Sequence, residues 1–221
     1  VTISQKLRMK LKDASLAVDK ALVGAEWLSA SSIGTSFDVT NPSTGEVIAT
    51  LPDMGREEVD RAVNAAFAAQ KAWATRTVKD RAAILRKLYD LMVANADDLA
   101  TILTMEMGKP WPEARGEILY GASYVEWFGE EAKRTYGDTI PGHQADKRLI
   151  VIKQPVGVVD AITPWNFPNA MLARKIGACS CSWVQHGFQA RCPDAAFRAR
   201  SRHTRRARRT SAGSLLSTDG D

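Results

Sequence analysis

The stretch P-V-G-V-V-D-A-I-T-P-W-N-F-P-N-A-M-L-A-R-K-I, Pro155 to Ile176, decides how the chain reads. Val156, Val158, Val159, Ala161 and Ile162 form an almost unbroken apolar run of strand length, the pattern of a strand buried on both faces. Pro164 and Pro168 then withdraw backbone donors and end any ladder. From Asn169 to Ile176 the spacing predicts a helix, with its first turn just after Pro168 and with Arg174 and Lys175 in a later turn. Strand, turn and helix in that order place Asn166 at the carboxyl end of a sheet, where open α/β folds keep their ligand crevices.

Working outward, residues 1–21 mix Lys and Asp with apolar residues at loose helical spacing and are expected to be an extension without function. Leu22 to Leu28, Phe37 to Thr40 and Glu46 to Leu51 are short β-type runs separated by Ser- and Gly-containing loops and the turn signal N-P-S-T-G, which predicts a small antiparallel meander. Glu57 to Trp73 carries Val59, Ala62, Val63, Ala66, Phe67 and Trp73 at three- and four-residue spacing, an amphipathic helix whose stripe should face the core. Asp80 to Ala96 repeats the pattern with Ile84, Leu85, Leu88, Leu91 and Met92, and Asp97 is placed to cap a further helix through Met105. Pro112 opens a long segment to Tyr136, along which Tyr120, Tyr124, Trp127 and Phe128 read as packing residues. Leu149 to Ile152 is β-rich and, if exposed, wants pairing.

The net charge of +5 suggests a nucleic-acid binder until the charges are located. Residues 177–221 hold eight Arg and three Asp, which is 8 − 3 = +5, so residues 1–176 carry no net charge. Cys179, Cys181 and Cys192 also all lie beyond residue 176. No secretory leader pattern and no apolar stretch of about 18 residues is present, so the expectation is a cytoplasmic protein without a membrane span.

The seven residues I-T-P-W-N-F-P at Ile162 to Pro168 resemble the signature of the NAD(P)-dependent aldehyde dehydrogenase superfamily. Y-G-D-T-I-P-G-H-Q-A-D-K-R-L-I-V-I-K-Q-P at Tyr136 to Pro155 resembles its bacterial succinate-semialdehyde dehydrogenase branch. The similarity extends back through T-M-E-M-G-K-P at Thr104 to Pro110 and D-V-T-N-P-S-T-G at Asp38 to Gly45, covering residues from about 22 to 176.

This resemblance implies an α/β fold, here a partial Rossmann-like cofactor domain with a β oligomerisation arm and no catalytic domain. Residues 22–136 would be the first part of the cofactor domain, 137–154 the arm and 155–176 a cofactor-domain strand, turn and helix. It implies oxidation of succinate semialdehyde to succinate by a homo-oligomeric parent enzyme with NADP or NAD; cofactor binding by this chain alone is not implied.

Such chemistry needs a thiolate, donors for the resulting oxyanion, a base for the deacylating water and a nicotinamide that accepts hydride. By resemblance Asn166 is the side-chain donor of the oxyanion hole; on spacing alone it would be a turn residue satisfying backbone groups. Ile162, Thr163, Pro164 and Trp165 map, with Asn166, to the nicotinamide side of the cofactor site, against the plainer reading of turn packing. Arg174 maps to an arginine that contacts the substrate carboxylate, a task that suits a planar guanidinium; otherwise it is a solvated helix charge. The family's nucleophilic Cys and general-base Glu lie further along than these residues reach. The three cysteines match neither that nucleophile's loop nor a zinc pattern, so a polypeptide of these residues is expected to be inactive alone.

After Ile176 the family pattern is no longer legible in the written frame. Reading the codons one base forward can turn Gly177 to Trp183 into G-P-A-L-A-A-G, and the same frame yields family-like segments further on. Residues 177–221 are therefore expected to be an out-of-frame, disordered tail, a reading that the DNA sequence across codon 177 decides. The rival for T-R-R-A-R-R is a phosphate-contacting cluster, but no aromatic stacking partners or folded recognition motif accompany it, so no specific nucleic-acid partner is expected.

Overall fold

The computed structural model describes residues 3–181 and the two-residue strand at 185–186. Helix α1 (Gln5–Arg8) is a single turn, yet the segment around it is not an appendage. Ile3, Leu7 and Leu11 recur every fourth residue and, with Ala17, pack against Val39, Ile48, Ala49 and Met105. The Asp98 carboxylate, 5% exposed, accepts the backbone N–H groups of Lys12 at 3.0 Å and Asp13 at 2.8 Å. The first residues, expected to be an extension, thus cover one face of the core. Their four-residue spacing is the helical period, although only one turn of it becomes helix.

Strands β1 (Ala21–Val23) and β2 (Glu26–Leu28) form one antiparallel pair. After α2 (Ala30–Ile33), β3 (Ser36–Thr40) and β4 (Val47–Pro52) form another. The expected meander is therefore two separate ribbons, because the capping box at Ser29 starts a helix between them.

Four long helices follow, α3 (Arg56–Ala74), α4 (Val78–Ala94), α5 (Ala96–Met107) and α6 (Trp111–Glu131). Their starts follow ordinary capping. Glu58 reaches back to the Gly55 N–H at 2.8 Å, Thr77 accepts from Asp80, and Pro112 stands at the second position of α6, where its missing donor costs nothing. Gly108, with φ +78°, ends α5 in the left-handed conformation. Asn95 takes the cap position of α5 instead of Asp97. Asp97 pairs instead with Arg115 at 2.9 Å and Lys12 at 3.2 Å. The hydrogen bond from Arg115 foremost, and then that from Lys12, holds its carboxyl below the usual carboxylate range.

Two apolar clusters hold the helices together. Ala96, Ala100 and Leu103 of α5 meet Ala114 and Ile118 of α6. Ala82 and Leu85 of α4 meet Val125 of α6, with Ala132 just beyond it, and the residues Ala173 and Cys181. The stripe on α3 departs from expectation: Val59, Val63 and Phe67 are exposed, Phe67 to 74%. Ile84, Leu88 and Leu91 of α4 are exposed as well. A helical period shows that a face is apolar without showing how far it is covered: on the same stripe Ala66 is buried while Val59, Val63 and Phe67 stay open.

Strands β5 (Asp138–Pro141) and β6 (Arg148–Val151) pair as an antiparallel hairpin whose strand residues are all exposed. Strand β7 (Val158–Val159) is much shorter than the expected run, since Gly157 turns the backbone to φ +105° just before it and Val156 is exposed. Helix α7 (Pro168–Cys181) returns the chain to β8 (Gln185–His186), which lies parallel to β7 with Val158 opposite Gln185. The tail expected from residue 177 is thus helical as far as Cys181, where α7 still packs on α6. Residues 182–184 and 187–221, with the rest of that expectation, lie outside the described residues. Among the described residues no helix is long and apolar enough to cross a membrane.

Leu7→Ala should lower stability by about 2–4 kcal/mol through lost burial and a residual cavity, read from urea unfolding followed by tryptophan fluorescence. Phe67→Ala, on the open face of α3, should change it by less than about 0.5 kcal/mol. A Leu7→Ala curve superimposable on the parent's would place the N-terminal segment outside the core.

Candidate functional site

The site is built where α6 crosses α7. Glu117, Tyr120, Gly121, Tyr124 and Phe128 recur on α6 at three- and four-residue spacing, so they share one face, and the contacts of that face are with α7. The crossing is close. A Cβ added at Gly121 would lie 2.5 Å from Asn169 Oδ1 and 3.3 Å from the Ala170 Cα, and one added at Gly177 would lie 3.0 Å from Phe128 Cδ2.

Residues 160–167 carry the chain from β7 to α7 without regular structure. Within them Ile162, Trp165 and Asn166 are exposed, as is Pro164, while Thr163 is half-buried. This turn is held from several sides. Lys109 Nζ donates to the backbone carbonyl of Asn166 at 3.0 Å and sits 4.1 Å from the centre of the Phe167 ring. Glu117 Oε1 accepts the N–H groups of Asn169 at 2.9 Å and Ala170 at 3.3 Å, and its other oxygen is ion-paired with Lys109. Lys175, two turns into α7, donates back to the carbonyl of Ile162. The Asn166 backbone is thus gripped while its side-chain amide stays exposed and available as a donor.

Arg174 lies two turns along α7. Its Nη2 donates to the hydroxyl of Tyr124 at 2.6 Å and to that of Tyr120 at 3.1 Å. Its guanidinium carbon lies 4.6 Å from the centre of the Tyr124 ring. The two rings meet edge to face at 4.9 Å with their hydroxyls hydrogen-bonded. The Tyr124 bond foremost, and then the Tyr120 bond, hold Arg174 above its ordinary value. Tyr120 is lowered by its bond with Tyr124 and, next, by Arg174, and Tyr124 is raised mainly by Tyr120.

All six turn and helix residues singled out in the sequence therefore fall on one loop and its helix. The tyrosines expected as packing residues correct the reading, because Tyr120 and Tyr124 hold the Arg174 guanidinium instead of filling a core. Lys109 and Glu117 went unnoticed in the sequence. A signal for them existed: polar Glu117 and glycine Gly121 sit on the same face as Tyr120 and Tyr124, and a glycine inside a helix marks a close approach. Burial pushes the Cys179 thiol up despite the nearby Lys175, the reverse of what a nucleophilic cysteine needs. Cys181 is buried against the Ala178 carbonyl. Among the described residues no group of three His, Cys, Asp or Glu could hold a metal ion. Ile162 and Trp165 leave apolar surface exposed on the loop that carries Asn166.

Residues 27–184 match the aldehyde dehydrogenase family, running past the Ile176 limit read from the sequence. The chain is 58% identical over 179 residues to glutarate-semialdehyde dehydrogenase of Pseudomonas putida, a stretch covering 80% of this chain and 37% of that protein. It is 55% identical over 179 residues to the NADP(+) succinate-semialdehyde dehydrogenase of Escherichia coli, with the same coverage. The crystal structure of succinate-semialdehyde dehydrogenase from Burkholderia pseudomallei superposes with a TM-score of 0.76 at 51% identity, covering 80% of this chain and 37% of that one. The chain belongs to the aldehyde dehydrogenase family. It spans about 37% of the length of the curated relatives it matches.

Arg174→Met removes one of the interactions that lower Tyr120, so part of the tyrosine titration should move to higher pH. Ultraviolet difference titration of the parent and variant checks this, and identical curves would show that the guanidinium does not face the hydroxyls in solution.

Proposed function

We propose that this chain carries the oxyanion-donor turn and the carboxylate-recognition arginine of an NAD(P)-dependent dehydrogenase for short semialdehyde acids, with succinate semialdehyde as the parent substrate. The observation that carries the reading is the pairing, on one platform of α6 and α7, of an exposed Asn166 amide on a gripped backbone with an Arg174 guanidinium oriented by two tyrosine hydroxyls. Relatives named for succinate and glutarate semialdehydes support the substrate class, since both compounds bear a carboxylate at the end remote from the aldehyde.

The division of labour follows from chemistry. A neutral amide stabilises negative charge developing on the carbonyl oxygen without donating a proton to it outright. The positive guanidinium would pair with the remote carboxylate and so fix which end of the substrate faces Asn166. Ile162, Thr163, Pro164 and Trp165 would border the nicotinamide, and the bound cofactor would supply the hydride acceptor. Among the described residues neither a thiolate nucleophile nor its base stands at this turn, so a polypeptide of these residues alone should not turn over.

A chimera tests this. Residues 27–176 are grafted in place of the corresponding segment of the Escherichia coli relative and assayed with succinate semialdehyde and NADP. Asn166→Ala in that chimera should reduce kcat by about 10²–10³ with KM little changed, the effect of losing one oxyanion donor. Arg174→Met should instead raise KM for the semialdehyde acid and leave an uncharged aldehyde unaffected. Equal effects of Arg174→Met on both substrates would contradict the carboxylate assignment.

A second reading is favoured by the β5–β6 hairpin, where Ile150 is exposed to 73%, and by Ile152, exposed to 68% just beyond it. An open ribbon of this kind is suited to pairing with another sheet edge, and the chain could then act as a non-catalytic subunit beside a longer homologue. Tagged chain coexpressed with that homologue should recover it, and Ile150→Lys should abolish recovery; if Ile150→Lys leaves recovery unchanged, pairing does not run through the hairpin.

A further inference from the structure

We infer that Lys109 and Glu117 form a positioning pair that sets the place and direction of the Asn166 amide. The inference rests on the proposed donor role of Asn166 and deepens it. Neither residue touches the reacting atoms in that reading; they act through the backbone that carries Asn166.

The Glu117 side chain is fully buried and that of Lys109 is 8% exposed. Their contacts hold the end of the turn and the start of α7. Lys109 takes the carbonyl of Asn166 and lies over the ring of Phe167, while Glu117 takes the N–H groups of Asn169 and Ala170. Pro168, between them, has no N–H to give. Met171 N–H bonds to the carbonyl of Phe167, which makes Phe167 the residue preceding the first turn of α7, and its side chain cannot accept the open N–H groups behind it. The cap that a Ser or Asp would ordinarily supply locally is delivered from α6 by Glu117. The helix start is consequently tied to a rigid neighbour and not to its own flexible loop.

Stability alone does not call for this arrangement. A buried ion pair is often no more stabilising than apolar residues of the same volume, because desolvation consumes the attraction. What the charges add is direction, since hydrogen bonds to the Asn166 carbonyl and to the N–H groups of Asn169 and Ala170 orient three peptide units in a way that apolar contact does not. An oxyanion donor needs such fixing, because its value depends on being aimed before charge develops.

The test uses the full chain and amide exchange read by NMR, together with the line shape of the Asn166 side-chain amide. In the uncharged double variant Lys109→Met/Glu117→Gln, exchange at Asn169 and Ala170, whose N–H groups Glu117 accepts, should rise by about tenfold or more and the Asn166 side-chain signal should broaden. The amides of Ala100 and Ile118, in the neighbouring helix core, should be unchanged. Lys109→Arg, which keeps a charged donor, should restore most of the protection. Unchanged exchange at Asn169 and Ala170, a parallel rise at Ala100 and Ile118, or a Lys109→Arg variant as loose as the double variant would each overturn the inference. Should the double variant not fold, Lys109→Gln is read by the same comparison with the same results deciding. None of these readouts depends on turnover, so a failure of the donor role, seen in the Asn166→Ala chimera, stays distinguishable from a failure of positioning.

Discussion

A buried carboxylate must find donors, and this chain satisfies the requirement twice in the same way. Glu117 accepts two successive backbone N–H groups from a segment about fifty residues later in the chain. Asp98 does the same for Lys12 and Asp13, more than eighty residues earlier. In each case a helix residue of the α5–α6 layer reaches out to backbone N–H groups, those of the first turn of α7 in one case and those of an irregular stretch in the other. An unpaired carboxylate at either position would carry a desolvation penalty of several kcal/mol. The two clamps therefore select one placement of the N-terminal segment and one of the Asn166 turn from the many that hydrophobic contact would allow.

The second clamp works only because α6 and α7 come close. Gly121 and Gly177 leave the space that lets the helices approach, and the approach brings the Glu117 carboxylate within reach of the α7 N–H groups. The same face then places Tyr120 and Tyr124 against Arg174. Packing, capping and the holding of Arg174 are here consequences of one crossing. A larger side chain at Gly177 would have to displace the Phe128 ring, and both tyrosines lie on the same short length of α6. An error at that glycine would thus be felt at the arginine, without any contact between the two.

Local signals carried much of this architecture in the sequence. The helices from Arg56 to Glu131 announce themselves by period and by caps, and the strand, turn and helix around Asn166 follow from two prolines and an apolar run. The clamps were not legible, because Glu117 and Lys109 are ordinary charged residues until the fold brings residues 166–170 to them; only the glycine one turn along hinted at a close approach. The N-terminal segment was missed for a related reason. Its apolar residues keep a helical spacing through a stretch that is mostly not helix, so a period meant for one face was read as weak propensity.

The opposite error, on α3, teaches the complementary point. Val59, Val63 and Phe67 keep a strict helical period and still lie open among the described residues, as do Ile150 in the β5–β6 hairpin and Ile152 just beyond it. Periodicity records that a face is meant for burial; the partner must be found elsewhere. Soluble domains rarely leave several such faces uncovered, and the matched relatives are far longer than the stretch they share with this chain. The Asn166 platform does not depend on those faces. Its clamp, its glycine crossing and its arginine are all complete within α5 to α7, so the geometry that would aim a substrate is set by contacts already made within these residues.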